Sequence, residues 1–211
     1  PATLGVSEAQ ILRLLKGLPE TASRAQVLAL LPDRRTDVEH LFRSHQEPRD
    51  GYKIRQVCVY GVAECIRSDL AIDLLQRGDI EGFGRLISLH HDGDRVSRLQ
   101  HGAMVPEVKD YSDRRMDQLI ADLESGDPRR VQAAHLWAQP GGYNVSVPGI
   151  DELVDLARQV PGVAGAGLVG AGLGGSMAAL VRAANAAQLV THLAQGYYQP
   201  KGLPVKAEIV A

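Results

Sequence analysis

The sequence predicts an α+β protein: a long helical run, then a shorter region in which two strands flank a glycine loop. Three observations carry that expectation. Apolar residues recur at helical period almost everywhere up to about Gly126. Beyond Gly141-Gly142 the pattern changes, and residues 163–169 and 176–182 are apolar runs of strand length rather than helix length. Between them, Gly170, Gly172, Gly174 and Gly175 crowd into six positions, a density no helix interior tolerates.

The elements follow in order. Ser7 caps a helix reaching Lys16 with Ile11, Leu14, Leu15 and Leu18 on its apolar side, and Thr21 or Ser23 caps a second that Pro32 closes. Residues 52–77 form a longer helix with Ile54, Cys58, Val62, Cys65, Ile72 and Leu75 near one stripe, ended by Gly78. Asp79 caps the next, from Ile80 to about His90, with Phe83, Leu86, Ile87 and His90 spaced three and four apart. Residues 91–109 are polar and read as loop. Two further helices cover 111–125 and 129–137, with Pro128 at a tolerated first-turn position. Ile150, Leu153, Val154 and Ala157 mark a helix stopped by Pro161-Gly162; Ala186, Leu189, Val190, Leu193 and Tyr197 mark another; and 203–210 alternates like a final strand. The C-terminal order of helix, strand, loop, strand, helix, strand is what remains of a ferredoxin-like, split βαβ layout.

Composition bounds the function. At 211 residues the chain buries a sizeable core without disulfides or metal. Its 45% apolar and 23% charged residues and net charge of -2 describe an ordinary soluble globular protein. Neither nucleic acid nor an anionic membrane is favoured as a partner, since both demand concentrated Lys and Arg. No apolar run approaches the ~20 residues of a membrane helix, and no signal peptide is visible. Cys58 and Cys65 lie two helical turns apart, too far for a disulfide, so the cytoplasm is the expected compartment. The chain starts at Pro1 rather than Met, and an absent upstream part is expected.

The segment Gly165-Ala166-Gly167-Leu168-Val169-Gly170-Ala171-Gly172-Leu173-Gly174-Gly175-Ser176 is the most informative. Gly170, Gly172 and Gly175 satisfy the dinucleotide pattern G-x-G-x-x-G, but that pattern requires a helix starting inside the loop and an acid about 20 residues on. Strand-like Ser176-Met177-Ala178-Ala179-Leu180-Val181 follows instead, and the acid is missing. A hairpin of glycines has another use: freed of Cβ atoms, its N–H groups can turn toward one point and form an anion-binding concavity. The plainer reading is a flexible hairpin, or a close contact between strand and helix.

Other residues read more simply. His90, His91, Asp92 and Asp94 are the densest set of possible metal ligands, but adjacent histidines on a helix diverge by about 100°. A solvated helix terminus with one packed His is expected there, with no metal. The cysteines read as small buried apolar residues. Ser176 lacks a nucleophile elbow, Trp137 reads as a core anchor, and Asp33-Arg34-Arg35 and Arg114-Arg115 read as solvated faces.

At the glycine loop the sequence resembles the third motif of the GHMP kinases, the group of galactokinase, homoserine kinase, mevalonate kinase and phosphomevalonate kinase. The likeness is collinear: Arg77-Gly78-Asp79-Ile80-Glu81-Gly82-Phe83-Gly84-Arg85-Leu86-Ile87-Ser88-Leu89-His90, then Tyr143-Asn144-Val145-Ser146-Val147-Pro148-Gly149-Ile150-Asp151-Glu152-Leu153-Val154, then Gly162-Val163-Ala164-Gly165-Ala166 and the loop, with the helix from Tyr52 also fitting galactokinases. Val169, Leu173 and Ser176 stand where the family usually has Thr, an aromatic and Cys, and residues 94–140 run longer than usual. The resemblance implies a GHMP kinase C-terminal domain over 51–211 with a helical insertion at about 94–140, preceded at 1–50 by a helical lead-in toward a missing N-terminal domain. It implies ATP-dependent phosphoryl transfer to a sugar hydroxyl, with Gly170, Ala171, Gly172, Leu173, Gly174, Gly175 and Ser176 beside the phosphate and no catalytic residue in this chain. The family's ATP loop, sugar motif and catalytic Asp are absent from the sequence, so ATP and Mg²⁺ are expected only in the full-length kinase and the chain alone is expected to be inactive. A missing N-terminal half, or a second copy, is the implied partner. The alternative is a stand-alone binding or regulatory module that kept the fold without the chemistry.

Overall fold

The computed structural model describes residues 5–210. The fold is α+β, nine α-helices and two antiparallel strand pairs among these residues, with the extra helices toward the N-terminus. They fall into two compact units: the described residues up to Val62 with Lys109–Gly141, and Ala63–Val108 with the described residues from Gly142.

The first unit is helical. α1 (Glu8–Lys16) and α2 (Arg24–Leu30) each begin with a reciprocal cap, Ser7 with Gln10 and Ser23 with Gln26, which satisfies orphan amides at both ends of the exchange. α3 (Arg35–Phe42), which the sequence reading missed, lacks a side-chain cap. α4 (Ile54–Gln76) begins here, and α6 (Asp113–Leu123) and α7 (Pro128–Ala134) are capped by Ser112 and Asp127. Leu12, Val59, Met116, Leu119 and Leu136 are buried together with no more than 1% of their surface exposed. Trp137 is half-buried; its neighbour Leu136 is the anchor.

α4 corrects its predicted stripe. Ile72 and Leu75 are 58% and 50% exposed, and the buried positions are Arg55, Val59, Ala63 and Arg67, one residue or about 100° further round. Two arginines hold places that an apolar template assigns to hydrophobes. Cys58 is half-buried and Cys65 exposed, so only the first fits the packed reading.

In the second unit α5 (Ile80–Asp94) carries Asp79 as its cap and packs along β3 (Val163–Val169). α8 (Pro148–Ala157), β3, β4 (Ser176–Val181) and α9 (Ala186–Leu193) enclose a core of Ile150, Leu153, Val154, Ala157, Ala166, Leu168, Leu189 and Leu193. α9 ends in a π-turn, Ala194–Tyr198.

Two expectations fail in this unit. Residues 91–109 are not a loop: α5 runs on to Asp94, and β1 (Ser97–Gln100) pairs with β2 (Ala103–Pro106) across a His101-Gly102 turn with φ of 51° and 80°. α8 supplies the cause, since its carboxylates collect the amides leading into β1. The final strand expected at 203–210 does not form; that segment is exposed and irregular, because alternation makes a strand only where a sheet edge accepts it. Among the described residues no helix is long and apolar enough to cross a membrane.

Candidate functional site: the glycine hairpin and its buried supports

The glycine loop joins two neighbouring strands. β3 and β4 are antiparallel with Val169 opposite Ser176, leaving residues 170–175 as the hairpin tip. No helix begins inside the loop, which removes the dinucleotide-binding alternative. Gly170, Gly172, Gly174 and Gly175 have φ of 102°, 88°, 122° and 93°, values that a side chain would strain. Leu173 sits among them at φ 59° with its side chain 87% exposed.

One side of the tip is anchored and the other is open. Leu173 N–H donates to Val145 O at 2.6 Å, and a Cβ on Gly172 would stand 2.6 Å from Val145. Nothing lies within 4 Å of a Cβ built on Gly170 or Gly174. The backbone at those two positions is therefore open, while the amide of Leu173 is already engaged. No three His, Cys, Asp or Glu among the described residues are grouped to hold a metal ion.

β3 itself is fixed by the close contact of strand and helix that the glycines allow and by side-chain hydrogen bonds that no local pattern announces. A Cβ on Gly165 would fall 2.0 Å from Gly84 O, and one on Gly84 would fall 2.4 Å from Ala164 O, so helix and strand touch backbone to backbone. Arg158, just after α8, donates to Ser88 O at 2.8 Å and to Ala166 O at 3.0 Å. Leu168 N–H donates to His91 Nδ1 at 3.2 Å. His91 is the one packed His expected at the end of α5, fully buried, but the terminus is not solvated as a whole, since Asp94 is only 2% exposed.

Carboxylates on α8 hold the other side. Asp151 Oδ2 accepts from Val96 N, Ser97 N and Ser97 Oγ at 2.8–3.0 Å, and Asp155 takes Arg95 with both oxygens and Leu99 N at 2.7 Å. Burial pushes Asp151 up, but the groups around it, His91 first, then Ser146 and the amides of Val96 and Ser97, outweigh that and hold it at about 2. His91 Nε2 lies 3.3 Å from Asp151 Oδ1 without hydrogen-bond alignment. Burial, with Arg95 and Arg158 nearby, pushes His91 below its ordinary value despite Asp151. The imidazole is thus neutral at pH 7, and the amide bonded to Nδ1 puts its one proton on Nε2.

A cleft of ≈ 360 Å³ opens between α4, α5 and the hairpin strands, with Glu64, Arg67, His90, Leu86 and Val169 in its walls. His90 bridges Glu64 at 3.0 Å and Asp94 at 3.2 Å, and the bond to Glu64 raises it. Burial works against Glu64, yet His90 and Arg67 bring its carboxyl below the ordinary range. The sequence had flagged His90, His91 and Asp94 as a cluster; their partners, Glu64 and Asp151, lay 26 and 60 positions away and left no local signal.

Residues 119–199 match the family model described as "GHMP kinases C terminal". Three similar proteins are named galactokinase. The one from Streptomyces coelicolor is 30% identical over 171 residues, 80% of this chain and 40% of that protein. The human one is 36% identical over 87 residues, 40% and 22% respectively, and that from Levilactobacillus brevis is 28% identical over 148 residues, 66% and 36%. The chain thus spans well under half the length of these relatives. A family match over the hairpin and likeness to a galactokinase over 171 residues agree with the α+β fold, and together they support a galactokinase-like GHMP kinase C-terminal domain.

Proposed function

We propose that this chain forms one wall of the phosphoryl-transfer site of an ATP-dependent sugar kinase, with the hairpin Gly170–Ser176 beside the transferred phosphate. The observation that carries the reading is the open, left-handed backbone at Gly170 and Gly174 on a hairpin held by two helices. Phosphoryl transfer asks the protein chiefly for positioning and for stabilisation of charge spread over the phosphate oxygens. Fixed amides supply part of that stabilisation without reorganising during the reaction. ATP supplies the phosphoryl group, and the amides of Gly170, Ala171, Gly172, Gly174 and Gly175 are the groups of this chain that would meet it.

The remaining functions belong to an N-terminal half on this reading: the nucleotide loop, the sugar contacts, the base and the Mg²⁺ ligands. The chain alone is then inactive, because losing most of the positioning set abolishes turnover. The test is to express the intact reading frame and assay a panel of sugars with ATP and Mg²⁺, beside the 211-residue chain. Turnover by the intact protein and none by the chain is the expected result. Sugar binding without phosphorylation by the intact protein would instead favour a non-catalytic module of the same fold.

A further inference from the structure

The aim of the hairpin depends on β3, and among the described residues β3 pairs with β4 alone. Groups along its other edge lack ladder partners and need them from elsewhere. Two residues apart on that edge, Ala166 O receives Arg158 and Leu168 N–H donates to His91 Nδ1. Leu168 is two positions before the first glycine of the tip. The glycine between the two contacts, Gly167, is closely approached, since a Cβ on it would lie 3.1 Å from that of His91. His91 therefore lies flush against the strand.

The ring is fixed from behind as well. Its Nε2 faces Asp151 Oδ1 at 3.3 Å, and Asp151 is itself held by two backbone amides and the Ser97 hydroxyl. Both His91 and Asp151 are fully buried. A path of close contacts thus runs from α8 through Asp151 and His91 to Leu168 N–H at the end of β3.

We propose that His91 is a positioning residue of the phosphoryl-transfer site, gripping the end of β3 so that the hairpin amides face the transferred phosphate. The proposal rests on the kinase reading above. It requires an acceptor at the Nδ1 position and nothing more from residue 91. Asn places its carbonyl oxygen close to where Nδ1 stands, Gln moves its acceptor toward Asp151, and Leu supplies none.

The experiment uses the intact reading frame carrying His91→Asn, His91→Gln or His91→Leu. Expected is a kcat loss of about 10–100-fold for Leu and Gln, the range set by a small misplacement of a positioning group. Asn recovers most of that loss, and KM for the sugar stays unchanged in all three. Amide hydrogen exchange, read independently of turnover, speeds up at Leu168 and at residues 170–175 in the Leu and Gln variants but not in Asn. If Leu fails to fold, the Gln and Asn pair carries the same comparison. Folded Leu or Gln variants with wild-type kcat and wild-type exchange at the hairpin overturn the proposal, even if they melt earlier. An intact wild-type protein that phosphorylates no sugar overturns the kinase reading, and with it the catalytic part of this proposal; the exchange pattern then still decides whether His91 holds the hairpin.

Discussion

Glycine serves two separate purposes around this hairpin, and single substitutions separate them. Gly165 is a contact glycine: its Cβ would fall 2.0 Å from Gly84 O, and backbone atoms on both sides cannot yield as a flexible side chain does. Gly170 is a conformational glycine, with φ 102° and open space around it. Gly165→Ala is expected to cost about 1–3 kcal/mol as overpacking, lowering the melting temperature by about 2–10 °C for a chain of this size. Gly170→Ala meets no atom and pays only backbone strain, about 1–2 kcal/mol. Thermal unfolding followed by circular dichroism compares them. A Gly165→Ala variant melting with the wild type means that α5 and β3 separate readily and that the hairpin is not held by this contact.

At the scale of elements, the sequence was read well where one residue sets a boundary. Ser7, Ser23 and Asp79 announce helix starts through their own side chains, and the strand ends around the glycines follow from local chemistry. It was read poorly where a distant partner decides. β1 forms because Asp151 and Asp155 on α8 collect the amides of Val96, Ser97 and Leu99, and nothing local to residues 95–100 encodes that. The α4 stripe was misplaced for the same reason. Arg55 looks like a surface residue, yet it is 4% exposed and donates to Lys16 O, Leu18 O and Tyr111 O, closing the C-terminal end of α1. Removing it strands one buried and two partly buried carbonyls. Arg55→Met is expected to lose about 2–4 kcal/mol, with Arg55→Lys between it and the wild type because an ammonium lacks the fork of donors. Urea midpoints measure this, and a Met variant as stable as the wild type removes Arg55 from the structural role.

At the scale of the whole molecule, the buried polar groups of the second unit give stability a shape against pH. Asp151 is held at about 2 from an ordinary 3.8, so the folded state has the stronger claim on the ionised form. Its contribution is fully present above pH 3.8 and disappears as pH falls toward 2, a difference of roughly 2 kcal/mol. Asp92 acts in the same direction: burial raises it, but Arg158 and Arg95 outweigh burial and lower it. His91 is depressed below 6.5, so its contribution is present above pH 6.5 and declines as the unfolded chain takes up the proton that the buried ring resists. His90 is raised by Glu64 first and by Asp94, against burial and the charge of Arg67, so its contribution is full below pH 6.5 and is lost as pH rises above that value. The two histidines are neighbours in sequence with opposite signs, and stability is therefore expected to peak near pH 6.5 rather than on a broad plateau. Unfolding free energies measured from pH 3 to 8.5 test this with two variants. His91→Asn flattens the limb between about pH 5 and 6.5 because residue 91 no longer titrates, whereas His90→Gln flattens the limb above 6.5 and moves the maximum upward. If His90→Gln keeps the alkaline decline, the bridge from His90 to Glu64 and Asp94 is not formed in solution, and the wall of the cleft that it shapes is arranged differently.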